Sequence, residues 1–302
     1  MAYFLSTIVG SVIQMCVTAL VTLAITLIFK TSFTTNFAQG VISAFGSYIV
    51  ATVMFENGLP VWSALIVGML TSMLIAMAVD VLIFRRGRYV NALGKQIITM
   101  GLISVIVALQ PMIFGIAQPT ITPFVDGLYS FDFSDGNVSF PRNVVVCAII
   151  TVVVCAVIFI LLRFSKWGLS VRATASNEYV AGMMGINTHV VTAVSWGIAG
   201  ALGALAATIN ASSGNTINIY FMTNFQVLAF LAGILGGFAT FHGPVIAALM
   251  IPLASNLVSY IVNVIGMPEL TGWSKVIVYT IALIIIFFKP QGIFGKKIAK
   301  KV

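Results

Sequence analysis

Apolar residues run along this chain in blocks of helix-spanning length, separated by short polar stretches that carry nearly all of the charge. The blocks lie at about 5–29, 37–55, 61–84, 97–117, 143–162, 190–210, 225–241, 243–265 and 273–288. A bilayer core of about 30 Å takes about 20 helical residues, and any other backbone facing lipid leaves amides unpaired. The pattern predicts an all-α, polytopic membrane protein with about nine transmembrane helices (about eight to ten). Blocks 37–55 and 225–241 are short and rich in Gly, Ser and Thr, which leaves open whether they cross fully or are broken or re-entrant.

Composition excludes the soluble classes. Of 302 residues, 60% are hydrophobic and 7% are charged, with a mean hydropathy of +1.11, whereas a soluble domain is about a quarter charged. No stretch between blocks is long enough for a soluble domain, so 1–302 reads as one transmembrane domain. Its expected parts are a first half at 1–117, an external loop at 118–141, a linking helix at 142–163, a cytoplasmic loop at 164–189 and a second half at 190–302.

Charge then supplies a direction. With nine alternating spans, Lys30, Arg85, Arg86, Arg88, Lys95, Arg163, Lys166, Arg172, Lys289, Lys296, Lys297, Lys300 and Lys301 share one side. Arg142 and Lys275 fall on the other, with Glu56, Asp126, Asp132, Asp135 and Glu269. Cytoplasmic loops are the basic ones, so the N-terminus is expected outside and the C-terminus inside. Anchoring of this kind accounts for the net charge of +8 without nucleic acid. The first block has no basic residue ahead of it and no small-residue cleavage site, so it reads as an uncleaved helix. Cys16, Cys147 and Cys155 read as buried thiols, the last two too far apart on one helix to bridge; no metal-ligand spacing is present.

The polar connections hold the candidate chemistry. Turn formers and acids dominate 118–141, with Phe124, Tyr129, Phe131 and Phe133 interleaved. It reads either as a cap on the outer mouth or as a docking surface for an external partner. In 163–189, residues 169–184 are expected to form one short helix with an apolar stripe of Val171, Ala175, Val180, Met183 and Met184. Gly185 would stop it and Asn187 would start the next helix. Such a helix lies on a membrane surface or in a groove of a partner protein, and periodicity does not choose.

Four segments in order carry a resemblance. Gly168-x-x-x-Arg172-Ala173 followed by Ala181-x-x-x-Gly185-Ile186-Asn187 resembles the cytoplasmic coupling segment of bacterial ABC-transporter permeases, in particular the branched-chain amino-acid permease family (LivH type). Asn36-Phe37-Ala38-Gln39-Gly40 resembles its N-F-A-H-G motif, with Gln39 where His is common. Leu235-Gly236-Gly237-Phe238 with Gly243-Pro244 resembles its V-L-G-G-x-G-S-x-x-G element, with Ala239 for Gly and Thr240 for Ser. Lys289-Pro290-Gln291-Gly292-Ile293-Phe294-Gly295 resembles its R-P-x-G-L-F-G signature, with Lys for Arg.

The resemblance implies a non-catalytic permease subunit of a binding-protein-dependent importer in the bacterial cytoplasmic membrane. It would pair with a second permease subunit, bind two cytoplasmic ATPase subunits and receive solute from an extracytoplasmic binding protein. ATP and Mg would be bound by the ATPases, and no cofactor by this chain, which lacks a Gly-x-x-x-x-Gly-Lys-Ser/Thr phosphate loop. Gly168, Arg172, Ala173, Glu178, Ala181, Gly185, Ile186 and Asn187 would dock on the ATPase, with lipid-headgroup anchoring the alternative for Arg172. A branched-chain or other amino acid is the implied cargo; nucleosides, urea and short amides are the alternatives within the same architecture. A stand-alone transporter or channel would need a membrane-embedded charged site, for which Asp80, expected to meet Arg85, is nearly the only material.

The residues also suggest an internal repeat. Thr35-Asn36-Phe37 opens the second span and Thr223-Asn224-Phe225 the seventh, as if spans one to four and six to nine were inverted copies. Asn36 and Asn224 would then be N-caps of half-helices whose positive ends suit a carboxylate in transit. Gln39, Ser43 and Ser47 follow on one copy, and Gln226, Gly236 and Gly237 on the other. Each is a candidate for the translocation pathway or, equally, for close helix packing through small residues.

Overall fold

A computed structural model describes residues 2–87, 90–133 and 136–295; Arg88, Asp135, Lys296, Lys297, Lys300 and Lys301 of the charge count lie outside the described residues. The helices are α1 (Ala2–Ser32), α2 (Gln39–Asn57), α3 (Val61–Val79) running on into a π-helical turn (Asp80–Phe84), α4 (Ala92–Phe114), α5 (Arg142–Phe164), α6 (Lys166–Ser176), α7 (Glu178–Met183), α8 (Thr188–Ala211), α9 (Thr223–Gly236), α10 (His242–Val264) and α11 (Ser274–Phe288). Seven stretches among the described residues are long and apolar enough to cross a membrane. The two expected spans outside that set are α2 and α9, the two short blocks. At 14 residues, α9 is about 21 Å long, short of a bilayer core.

The all-α expectation misses one element. Leu128–Phe133 (β1) and Gly136–Pro141 (β2) pair antiparallel, Leu128 opposite Pro141 and Phe133 opposite Gly136. Alternation in Tyr129-Ser130-Phe131-Asp132-Phe133 and the Asp135-Gly136 pair carry this signal in the sequence. Phe131 stacks on Phe140 at 6.0 Å between ring centres, and Arg142 lies 5.1 Å over the Tyr129 ring.

Two helices form the centre. Burial reaches 72% in the spanning windows of α1 and α8, against 17–33% in the other five. Small residues permit this, because without a water-driven hydrophobic effect close backbone approach is what gains contact energy. A Cβ on Gly200 would strike the Ser72 carbonyl and Ala76; one on Gly46 would strike Ala204 and the Ser72 hydroxyl; one on Gly203 would strike Ser43 and Gln39. Ser43, Gly200, Gly203 and Ala204 thus lie on helix-packing surfaces. The contacts pair off across the molecule: α8 packs on α2 and α3, and α1 packs on α9 and α10.

The two ends differ in character. Thr31, Asp80, Arg85, Lys95, Glu178 and His189 surround one cavity, and the Lys30 ammonium donates to the Ala239 carbonyl. This is the basic end. At the opposite, hairpin end, Gln14 of α1, Asp126, Asn143 of α5 and Asn210 of α8 line another cavity.

Candidate translocation and coupling sites

Between α1 and α2 the chain leaves helical geometry while Thr34, Asn36 and Ala38 stay buried. Phe33 takes a left-handed φ of 50° and closes α1 by donating its N–H to Phe29 O at 2.9 Å. The chain then turns back, and α2 begins level with the middle of α8, where Gln39 Nε2 donates to Ala199 O at 2.9 Å. Irregular backbone at this depth needs protein partners for its polar groups. Thr99 Oγ1 accepts from Phe37 N–H at 3.3 Å and Asn36 Oδ1 from Ala38 N–H at 3.0 Å. The Asn36 amide donates to Gln39 Oε1 at 3.2 Å.

The remaining partners come from α9. Gln226 accepts from Gly40 N–H through Oε1 and donates to Phe37 O through Nε2. The first turns of α2 and α9 therefore meet, bridged by one amide. Gly40 leaves room for that side chain, since a Cβ there would strike Gln226 and the Met222 carbonyl. Asn36 does not cap α2: the N-cap position is Ala38 and no side chain caps the helix, Asn36 instead accepting from Ala38 N–H in the turn ahead of it. Asn224 does not cap α9: the helix starts at Thr223, its N-cap position is Met222, and no side chain caps it. An exposed Asn224 inside the first turn has its own backbone already in the helix. Ser43 and Ser47 are buried and bond back to Gln39 O and Ala44 O, both at 2.7 Å.

Above this junction, at the hairpin end, lies a cavity of about 680 Å³. Phe221 and Phe225 near the start of α9 line it with Gln14, Asn143, Asn210 and Asn215, and Asp126 is the acid among the described lining residues. Asn143 holds three elements together: Oδ1 accepts from Phe124 N–H at 2.9 Å, and Nδ2 donates to Ser212 O at 3.0 Å. Asn215 Nδ2 donates to Asn210 O at 2.9 Å. Asn210 and Asn215 are not among the residues singled out from the sequence. The signal was present in the polar run Asn210-Ala-Ser-Ser-Gly-Asn-Thr-Ile-Asn218 between two apolar blocks.

Gly236 and Gly237 lie at the basic end, in a knot of three segments. A Cβ on Gly236 would strike the Gly243 backbone, and one on Gly237, whose φ is +84°, would strike Gln291 O. Ile293 N–H donates to Leu235 O at 2.7 Å. The two glycine-rich motifs around 236 and 292 are thus one contact seen from both sides.

The loop after α5 departs from expectation. Instead of one helix over 169–184 there are two, α6 and α7, broken at Asn177 (φ −160°, ψ 110°), whose side chain accepts from Val180 N–H at 3.1 Å. Asn favours such a cap over a helix interior because its side chain competes for backbone donors. The break also dissolves the expected stripe: Val171 is buried, but Val180, Met183 and Met184 are more than half exposed. Gly168 brings α6 hard against the end of α5, where a Cβ would strike the Leu161 and Leu162 carbonyls. Gly185 ends α7 at φ +85°, and Asn187 caps α8 by accepting from Val190 N–H at 3.3 Å. Ala181 is buried, Ala173, Glu178 and Ile186 are half-buried, and Arg172 is exposed. With Leu169 and Tyr179 also exposed, α6 and α7 present an apolar surface with a basic neighbour at the basic end, the kind of patch that takes a partner.

The family described as "Branched-chain amino acid transport system / permease component" matches residues 7–287. The chain is similar to the "High-affinity branched-chain amino acid transport system permease protein LivH" of Salmonella typhimurium, 24% identical over 88% of this chain and 87% of the relative. The protein of that description from Escherichia coli (strain K12) gives the same figures. The "Probable branched-chain amino acid transport permease protein LivH" of Methanocaldococcus jannaschii is 26% identical over 86% of this chain and 82% of its own length. No solved structure matches.

Proposed function

Since the chain belongs to the family of branched-chain amino acid transport system permease components, we propose that it is the membrane-spanning subunit of a binding-protein-dependent ABC importer for a branched-chain or other small amino acid. The match over residues 7–287 carries this reading. The basic end faces the cytoplasm of a bacterial inner membrane and the hairpin end faces outside, as the basic bias requires. Counting α2 and α9 as broken spans restores nine crossings, with α1–α4 and α8–α11 as inverted copies and α5 joining them. The reciprocal packing of α8 on α2 and α3, and of α1 on α9 and α10, supports the two copies.

In this reading the outer cavity receives solute from an extracytoplasmic binding protein, and the α2–α9 junction closes the way below it. Two cytoplasmic ATPases bind ATP and Mg and dock on α6 and α7 of this chain and of a second permease subunit. The short linkage from Gly168 onto α5 and from Asn187 into α8 passes their closure to the helices as rigid-body motion. One observation favours a second cargo class: amides outnumber charges on the outer cavity, which suits neutral solutes such as nucleosides, urea or short amides.

Reconstitution with the partner ATPases and the binding protein tests this: uptake of labelled L-leucine requires ATP and all components. An Arg172→Glu, Gly185→Val double variant is expected to lose ATPase association and uptake; full retention of both would refute the docking assignment.

A further inference from the structure

A second cavity, of about 160 Å³, lies at the basic end between α1, the π-helical turn, α4, α7 and α8. Carboxylates and cations share its lining, Asp80 and Glu178 with Arg85 and Lys95. Asp80 is 5% exposed and its Oδ2 accepts from Thr192 Oγ1 at 3.3 Å. A carboxylate this deep is costly unless charge and hydrogen bonds compensate it; here the Thr192 hydroxyl and the positive charges of Arg85 and Lys95 do so. Asp80 also begins the five-residue π-helical turn, a widening that within α-helices tends to mark functional positions. That turn is held in place: Phe84 lies 4.8 Å from the Trp196 ring of α8, and Trp196 Nε1 donates to Ser32 Oγ of α1 at 3.0 Å.

The volume corresponds to about five waters, enough for the ammonium, carboxylate and α-carbon of an amino acid, and the cavity is open on one side where a side chain can extend. An inorganic cation entering it would meet Arg85 and Lys95, and an inorganic anion would meet Asp80 and Glu178. A zwitterion, with its ammonium and carboxylate on one carbon, meets a partner for each group. We propose that this cavity is a regulatory site for a free α-amino acid on the cytoplasmic side, its ammonium held by Asp80 and its carboxylate by Arg85 and Lys95. The inference rests on the orientation and cargo given under Proposed function. Because α7 lines the cavity through Glu178, an amino acid filling it lies between the coupling segment and α1, α4 and α8 and resists the rigid-body motion that transport requires. Accumulated product therefore slows its own import.

The complete transporter in proteoliposomes, ATPases outward, with binding protein and labelled L-leucine in the lumen, tests this. Unlabelled L-leucine added at millimolar concentration to the ATPase side is expected to lower both ATP hydrolysis and labelled leucine movement severalfold. L-leucinol, without the carboxylate, and 4-methylpentanoate, without the ammonium, are expected to leave both rates unchanged. Asp80→Asn weakens the inhibition about thirtyfold, as loss of one buried charge partner does. Lys95→Gln, at the rim of the cavity, weakens it in the same direction and guards against a folding defect in the first variant. The proposal is overturned if L-leucine does not slow the wild type, if 4-methylpentanoate slows it equally, or if both variants remain as sensitive as wild type. Absence of any ATP-dependent leucine movement would instead overturn the importer reading, and this inference with it.

Discussion

Replacing Gln226 by Met keeps the length and volume of the side chain but removes both polar atoms from the junction of α2 and α9. Gly40 N–H then loses its acceptor and Phe37 O its donor, at a depth where water does not replace them. A buried backbone group left unpaired costs about 1–3 kcal/mol, so the two together cost about 2–6 kcal/mol. If the junction is what shuts the path below the outer cavity, even the lower figure shifts the closed-to-open ratio about thirtyfold. Two readouts follow: a lower melting midpoint of the purified transporter, and passive escape of labelled solute from proteoliposomes without ATP. Gln226→Glu separates the two bonds. Its carboxylate still accepts from Gly40 N–H at the positive end of α2, but it sets a buried charge against Phe37 O, so it should melt at least as low as the Met variant. A Gln226→Met transporter with an unchanged melting midpoint and no passive escape would refute the idea that this amide closes the path.

Helix packing gives a second expectation. Gly200→Ala forces a Cβ into the Ser72 carbonyl between α3 and α8, whereas Gly10→Ala meets open space; the first should lower thermal stability by about 1–3 kcal/mol and the second should leave it unchanged in a melting assay. Glycines of positive φ separate similarly. Gly185→Ala carries only backbone strain, about 1–2 kcal/mol, while Gly237→Ala adds a clash with Gln291 O and should melt lower still. Asn143→Leu unpairs Phe124 N–H and the Ser212 carbonyl at the outer cavity. It should cost about 2–6 kcal/mol for the two groups and reduce binding-protein-dependent uptake while the ATPases still co-purify.

How far the sequence reached can be seen element by element. Apolar block length alone determined the membrane-spanning class, because a hydrocarbon layer admits only helices or closed barrels and sets their length. It also set α2 and α9 apart from the seven longer apolar spans, since their Gly, Ser and Thr content lowers hydropathy whatever they touch. Gly185 and Asn187 were legible as stop and cap because capping is a local property of the backbone. Asn177 was not read as a break, because hydrophobic period spoke for a continuous helix while a side chain competing for a backbone donor won.

Tertiary structure alone decided the rest. That Gln226 reaches Phe37 and Gly40, that Gly237 meets Gln291, and that Asp80 faces Lys95 across a cavity are contacts between residues far apart in the chain. No local propensity encodes them; they follow from which helices the small residues of α8 allow to approach. The asparagines of the outer cavity are a middle case: their polarity between two apolar blocks was visible, but only the return of the chain between α8 and α9 gave them a common space to line.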